Sequence, residues 1–212
     1  MPGSGRYVVR VEKRKTQEER TAESRRRLIE AAIELLATRG YARTSLAAIG
    51  DAAGLSRGLV THHFGSKEQC IVEVVAHIVR TIGYDLQERA QIRGLASIDA
   101  LFETYLSDRS PYASSARAMY VVMVEAMTAA PDLLPGVAAN NQFIRTVIGQ
   151  WIGEAVELGE IEPPADIDGV SIVIEGILRG VLQQILIDPD AVDRAAAIKA
   201  CIDMVRGALG AR

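Results

Sequence analysis

The chain has few of the features that mark secreted, membrane-spanning or disulfide-stabilised proteins. Its 212 residues include two cysteines, Cys70 and Cys201, which lack the CxxC spacing of metal or redox sites. Aromatic residues make up only 5% of the chain. No run of about 18 apolar residues occurs, because the most apolar stretch, 170–187, is interrupted by Glu175 and Arg179. We therefore expect buried thiols, no membrane span, no secretory signal and a cytoplasmic protein.

The sequence also lacks the spacings that enzymes and metal centres require. It contains no nucleophile-base-acid set, no glycine-rich phosphate loop and no zinc-ligand spacing. Two of the three histidines, His62 and His63, are adjacent and would point about 100° apart on a helix, and His77 lies about four turns further along. We therefore expect no enzymatic activity, no bound metal and no cofactor.

Charge is distributed unevenly along a chain whose net formal charge is −3. Residues 1–69 carry 13 Lys or Arg and 8 Asp or Glu, a formal charge of +5, whereas residues 70–212 carry 11 and 19, a formal charge of −8. A basic N-terminal third suits a polyanionic partner, although a solvated surface without a partner has the same composition. Residues 1–15 lack helical periodicity and are basic, which predicts a flexible arm that could contact phosphates or simply be a free terminus.

Apolar residues recur at helical spacing through most of the chain, and strand-like alternation stays short. We therefore predict an all-α fold of about nine helices. The stretch Thr16–Glu19 fits a capping box that opens a first helix, which Gly40 ends. A second capping box at Ser66–Gln69 opens a long helix. Ser110 followed by Pro111 predicts another helix start.

Residues 44–69, TSLAAIGDAAGLSRGLVTHHFGSKEQ, contain two short helical patterns separated by a turn. Thr44 or Ser45 can cap the first helix, Gly54 ends it, and Ser56 caps the second. Small residues between them would let the two helices approach closely. Two helices joined by a glycine-containing turn form a helix-turn-helix.

This stretch resembles the DNA-binding domain of the TetR family of bacterial transcriptional regulators. The resemblance is carried by Thr44, Ile49, the run Ala53-Gly54-Leu55-Ser56, Gly58, His63-Phe64 and Ser66-Lys67-Glu68. The Ala-Gly-hydrophobic-Ser turn occurs in many small helix-turn-helix units, whereas the following His-Phe-x-Ser-Lys-Glu at this distance is far more specific. The motif covers about residues 20–75, and beyond them the resemblance depends on length and helical content.

The resemblance implies that the second helix of the motif enters the major groove of DNA, which is about 12 Å wide and admits one α-helix. Arg57 could bind guanine or a phosphate, and Leu59 could touch a thymine methyl or belong to the core. Thr61 stands where the family usually has Tyr, and His62 where it often has an aromatic residue, so phosphate affinity or register is expected to differ. The arginines at 25–27 could contact phosphates or form a solvated face. The expected DNA contacts are Thr44, Ser45, Ser56, Arg57, Gly58, Leu59, Thr61, His62, His63 and Lys67.

The resemblance also divides the chain into a basic arm (1–15), a helix-turn-helix domain (16–69) and a helical effector-binding and dimerisation domain (70–212). The last two helices are rich in Ile, Val, Leu and Ala, so we expect them to form a homodimer across a two-fold axis, with internal burial as the alternative. Met and aromatic residues of the middle helices are candidates for an effector pocket or for the core. These candidates are Phe102, Tyr105, Met119, Tyr120, Met123 and Trp151.

Together these features predict a ligand-responsive, DNA-binding transcriptional regulator. We expect a repressor that releases a palindromic double-stranded operator when a small apolar or amphipathic effector binds, with no membrane partner. The alternative is a helical protein-interaction module that uses the motif only structurally.

Overall fold

The computed structural model describes residues 16–90 and 92–211, with the backbone alone for residues 84–90. The predicted basic arm therefore lies outside the described residues. Within them the chain is all-α, as predicted, with nine α-helices and one 3₁₀ turn. In chain order these are α1 Gln17–Arg39, α2 Leu46–Ala53, α3 Arg57–Phe64, α4 Lys67–Ala90, α5 Leu95–Leu106, α6 Ala113–Met127, the 3₁₀ turn Pro131–Leu133, α7 Leu134–Glu157, α8 Ile167–Ile187 and α9 Arg194–Ala208.

The two predicted capping boxes are both formed. Thr16 Oγ1 accepts a hydrogen bond from Glu19 N at 3.1 Å, and Thr16 N donates to the Glu19 carboxylate at 2.7 Å. Ser66 and Gln69 make the same reciprocal pair, with both distances at 3.2 Å. Each box satisfies amide groups that the first turn of a helix leaves without a partner. The long helices α1 and α4 therefore begin where the sequence predicts.

One predicted helix start is wrong. Ser110 and Pro111 form a turn, and α6 begins further along the chain at Ala113. Ser110 Oγ accepts a hydrogen bond from Tyr112 N at 3.2 Å, so the serine closes the turn instead of capping a helix. No side chain caps α6. A Ser-Pro pair predicts a helix start only when the serine reaches an amide beyond the proline's own turn.

The long helix α4 is shared between the two halves of the molecule. It contacts α1 and α3 on one side and α5, α6 and α7 on the other, and α1 also packs against α6. One continuous set of buried side chains runs from Leu28 and Ile49 through Ile78 to Ile152. Burying one such side chain stabilises the fold by roughly 1.5–3 kcal/mol. The helix-turn-helix is therefore mounted on the common core and is not tethered by a loop.

Helix α8 is the most apolar of the long helices in the described chain. Taken singly, it is the only described helix long and apolar enough to cross a membrane, and 33% of that stretch is buried inside the fold. Core helices of soluble proteins have the same composition. It carries three charged residues, Asp168 in the first turn and Glu175 and Arg179 further along, and the last two form an i,i+4 ion pair at 2.5 Å.

Candidate nucleic-acid interface and ligand cavity

The turn between α2 and α3 joins two helices that each begin at a serine cap. Ser45 Oγ accepts from Ala48 N, and Ser56 Oγ accepts from Leu59 N, both at 3.2 Å. Ser45, and not Thr44, is therefore the cap of α2. Gly54 ends α2 in the left-handed conformation, with φ of 64°, which glycine adopts without a steric penalty. These contacts fix the angle between the helices.

Gly50 sets how closely α3 approaches α2. A Cβ atom at this position would lie 2.8 Å from Leu55 O and 3.2 Å from Val60 Cγ2. Glycine inside a helix costs about 1 kcal/mol relative to alanine. Here that cost is offset by a helix contact that an alanine would obstruct. Val60 and Phe64 are buried on the inner side of α3.

The outer side of α3 is open to a partner. Leu59 is half-buried, and six of the ten predicted contact residues are exposed: Ser45, Ser56, Arg57, Gly58, Thr61 and His62. Thr61 Oγ1 donates to Arg57 O at 3.2 Å, while the Arg57 guanidinium makes no hydrogen bond or ion pair within the described chain. A long cationic side chain therefore projects from the first turn of a helix whose inner face is anchored in the core.

Two predicted DNA contacts are not presented at this surface. Thr44 is completely buried, and its Oγ1 donates to Gly40 O at 2.8 Å, so the hydroxyl closes the α1–α2 connection. In this arrangement the Thr44 hydroxyl is not presented to a partner, and its phosphate contact stays a prediction. His63 is half-buried, and its Nε2 is shielded, with no hydrogen-bond partner among the described residues. Burial, followed by the charges of His62 and Arg25, lowers the pKa of His63, which keeps the ring neutral at neutral pH.

Lys67, the last predicted contact, lies at the start of α4. Its Nζ donates to Tyr41 O at 2.8 Å and lies 3.6 Å from the centre of the Tyr41 ring. The ammonium is therefore held half-buried between α4 and the α1–α2 connection, and burial lowers its pKa. An ammonium has three N–H donors, so the remaining ones are free to meet a phosphate.

The three arginines at 25–27 follow neither predicted alternative as a group. Arg25 lies 5.1 Å from the centre of the Phe64 ring and forms an ion pair with Glu73 of α4. Arg27 donates to Ala53 O at the end of α2. These two side chains hold α1 against the helix-turn-helix, whereas Arg26 pairs with a glutamate one turn along α1.

A second candidate site is an apolar cavity of about 70 Å³ lined by α4, α5, α6, α7 and α8. Five of the six predicted pocket residues line it: Tyr105, Met119, Tyr120, Met123 and Trp151. The sixth, Phe102, is completely buried in the core and does not line the cavity. Leu101 and Tyr105 lie one turn apart on the cavity side of α5, and the adjacent Phe102 points about 100° away.

Sequence reasoning missed the charged residues of this cavity. Glu175 and Arg179 of α8 line it, and Arg145 Nε of α7 lies 3.5 Å from Glu175 Oε2. Burial raises the pKa of Glu175, and the two arginines oppose that rise. The available signal was the presence of two charges, Glu175 and Arg179, in the otherwise apolar stretch 170–187. A simple i,i+4 pair on a helix surface explains that pattern equally well.

Residues 28–74, which cover the helix-turn-helix and the buried face of α1, match the family described as bacterial regulatory proteins, tetR family. Over 149 residues the chain is 29% identical to the HTH-type transcriptional regulator CymR of Pseudomonas putida, covering 69% of this chain and 72% of CymR. The helix-turn-helix domain of this chain belongs to the TetR family of bacterial transcriptional regulators.

The TetR-family fold extends over nearly the whole chain. A TetR-family transcriptional regulator from Rhodococcus sp. superposes with a TM-score of 0.81 and 16% identity, over 89% of this chain and 99% of that one. SmeT of Stenotrophomonas maltophilia, solved in complex with triclosan, superposes with a TM-score of 0.68 and 22% identity, over 88% of this chain and 91% of SmeT. At these identities the likeness establishes the fold. As a member of the family, this chain is a DNA-binding transcriptional regulator, and the relatives it matches are regulators.

Proposed function

We propose that this TetR-family regulator is a cytoplasmic repressor that binds a palindromic operator as a homodimer and releases it when a small apolar or amphipathic ligand enters the cavity. The observation that carries the proposal is the connection between the two sites, since α4 contacts α3 at one end and lines the cavity further along. SmeT, which has this fold and was solved with triclosan, is described as the repressor of a multidrug efflux pump.

The DNA surface is the exposed side of α3. A helix that enters the major groove contacts base edges through its N-terminal residues. Arg57, in the first turn, is suited to bind guanine through two hydrogen bonds. Gly58 lets the backbone approach the duplex, and Thr61, His62 and Lys67 flank it with phosphate donors. Neutralising phosphates releases counterions, so operator affinity should fall steeply as salt rises.

The homodimer forms through the exposed stripe of α8 and α9. The side chains of Ile172, Val173 and Met204 are 50%, 59% and 58% exposed, although all three are apolar. Gly176 and Gly180 continue the stripe along α8 with nothing near them, which leaves room for close helix packing. Only part of the two helices predicted to form the dimer is available for it, because six of their residues are buried within one protomer: Ile174, Leu178, Leu182, Ile185, Cys201 and Val205.

Ligand binding acts on DNA affinity through α4. Ile78, Val79 and Ile82 line the cavity, and Cys70 and Ile71 of the same helix are packed in the core next to the helix-turn-helix. A ligand larger than the cavity favours an arrangement in which α4 has moved. That arrangement changes the separation of the two α3 helices, which must match half-sites about 34–36 Å apart or a multiple of that. The ligand lowers operator affinity only to the extent that it binds this second arrangement more tightly.

A mobility-shift titration with the DNA upstream of the protein's own gene tests the proposal. Arg57→Gln should weaken operator binding by about 5- to 150-fold, because a good base contact contributes roughly 1–3 kcal/mol. Arg117→Gln removes the same charge from an exposed position on α6 and should leave the shift unchanged. A shift that neither variant alters, or that is insensitive to moderate salt, would favour the protein-interaction alternative.

A further inference from the structure

Three charged side chains meet at one wall of the apolar cavity. Glu175 Oε1 lies 2.5 Å from Arg179 Nη2, and Glu175 Oε2 lies 3.5 Å from Arg145 Nε. The side chains of Glu175 and Arg179 are only 9% and 20% exposed. The group consists of two arginines and one carboxylate, so its formal charge is +1. The wall is therefore electropositive, although the rest of the lining is dominated by apolar side chains.

One nitrogen of the Arg179 guanidinium donates its hydrogen bond to a weak acceptor. Its Nη2 faces Glu175 and donates to Asn141 Oδ1 at 2.9 Å. Its Nη1 is 2.8 Å from Met123 Sδ, and within the described residues it has no oxygen acceptor. A thioether is a weak acceptor, whereas a carboxylate oxygen forms a hydrogen bond with a guanidinium that is about twice as strong as a neutral one. Met123 also lines the cavity, so this donor lies next to the space that a ligand would enter.

We infer that the cavity binds small apolar carboxylic acids as their anions, with the carboxylate displacing the Met123 thioether from Arg179 Nη1. The inference rests on the proposed function, which makes this cavity the ligand site. It deepens that proposal by naming the charge of the ligand. A cationic ligand is disfavoured because two arginines flank Glu175 and leave the group with a formal charge of +1, although Glu175 Oε1 accepts no hydrogen bond within the described residues.

The rest of the cavity lining is suited to the apolar end of the ligand. Met119, Met123 and Trp151 present apolar surface, and methionine side chains adapt readily to different shapes. A cavity of about 70 Å³ would hold roughly five waters at 10–15 Å³ each, so a ligand with eight carbons must move these side chains. Tyr105 also lines the cavity, and burial raises its pKa to about 12, so its phenol stays protonated and able to donate.

Calorimetric titration of the full-length regulator without DNA tests the inference with three ligands of one chain length: octanoate, 1-octanol and octylammonium. We expect octanoate to bind at least tenfold more tightly than 1-octanol, because only the anion gains the charged hydrogen bond. Octylammonium should bind more weakly than both. Equal or reversed affinities for octanoate and octanol, or no binding of octanoate, would overturn the inference.

If the carboxylate binds Arg179 specifically, substitutions of the two charged residues should change octanoate affinity in opposite directions. Arg179→Gln should weaken octanoate binding at least tenfold and leave octanol binding within about twofold. Glu175→Gln should strengthen octanoate binding severalfold, since it removes the carboxylate that competes for Arg179. Arg117→Gln, on the exposed side of α6, should change neither.

Arg179→Gln leaves Glu175 with Arg145 as its only cation, which endangers folding. The double variant Arg179→Gln/Glu175→Gln replaces both charges with neutral amides, so no buried charge is left without its partner on α8, and it should bind octanol normally. A retained preference for octanoate in this variant would refute the role of Arg179. The titrations contain no DNA, so they can be interpreted even if the operator experiment fails. The operator experiment can likewise be interpreted if the titrations fail.

Discussion

The helix-turn-helix and the cavity half of the molecule use the same kinds of residue in opposite ways. In the helix-turn-helix, glycine at position 50 brings helices into contact, and Arg27 and Lys67 reach backbone carbonyls of neighbouring segments. In the cavity half, no atom lies within 4 Å of a Cβ atom added to Gly176 or Gly180, and Arg179 donates a hydrogen bond to the thioether of Met123. These groups of the helix-turn-helix have close partners, whereas these groups of the cavity half have weak partners or none.

This difference corresponds to what each half must do. A helix that reads base edges has to be held within a fraction of an ångström, which requires that its supports be satisfied. A cavity that admits a ligand needs side chains that can be displaced at low cost. Packed interiors switch between discrete arrangements and do not deform continuously. The shared helix α4 is where the deformable half can act on the rigid half.

The largest expected difference in stability is between a core residue and a cavity residue of the cavity half. Phe102→Ala should destabilise the protein by about 3–5 kcal/mol, because it empties a completely buried aromatic site. Met123→Ala, at the half-buried cavity wall, should cost no more than the lower end of the usual 2–5 kcal/mol. Denaturant unfolding measures both. Equal losses would mean that the cavity is as tightly packed as the core.

The second prediction concerns the close contact between α4 and α7, which under the proposed function would couple the two halves. A Cβ atom at Gly136 of α7 would lie 2.6 and 2.7 Å from the methyl groups of Val72 on α4. Gly136→Ala should therefore destabilise the protein by about 1–3 kcal/mol. It should also alter the ligand response of DNA binding, because it pushes α7 away from α4. Thermal unfolding and ligand-dependent mobility shifts measure the two effects.

Two controls sharpen this prediction. Gly153→Ala lies on the same helix with no atom within 4 Å of the added methyl, so it should stabilise α7 by up to about 1 kcal/mol. Val72→Ala combined with Gly136→Ala should recover most of the lost stability, since the clashing methyl groups are gone. Additive losses in the double variant would place the cause elsewhere.

The sequence was sufficient for most of the fold because its signals are local. Capping boxes at Thr16 and Ser66 and the serine cap at Ser56 depend on residues within one helical turn, and all three form as predicted. The Ser110 prediction failed for a local reason as well, since serine can bond to the amide of a turn or of a helix. Propensity does not distinguish the two.

The candidate sites depended on tertiary packing that a sequence pattern does not contain. Thr44 fits the motif, but only the structure reveals that its hydroxyl is bonded to Gly40 O. Phe102 and Tyr105 look alike as aromatic residues at helical spacing, and their roles diverge because one faces the cavity and the other the core. Arg145 and Glu175 are 30 positions apart, so no local pattern predicts that they meet.

The smallest expected effect concerns His63, the one imidazole of the motif that is turned inward. Burial lowers its pKa below the ordinary 6.5, so the unfolded chain binds more protons than the folded chain once the pH falls below 6.5. The contribution of His63 to the free energy of unfolding should therefore be complete above that pH, and it should decline as the pH falls toward the lowered pKa. Burial lowers the pKa of His77 in the same direction, so His63 supplies only part of the slope. His63→Gln should make the decline shallower by less than one proton, and urea unfolding at a series of pH values measures it.

The neighbouring His62 provides the matched test of that argument. Its ring is exposed on the outer side of α3, so His62→Gln should weaken operator binding if the ring contacts phosphate, and a mobility-shift titration measures that loss. His63→Gln should have little direct effect on DNA contacts, because its ring is turned inward. If both variants weaken operator binding equally, the inner and outer sides of α3 are not as distinct as the packing indicates. The division between a supported inner face and a reading outer face would then have to be redrawn.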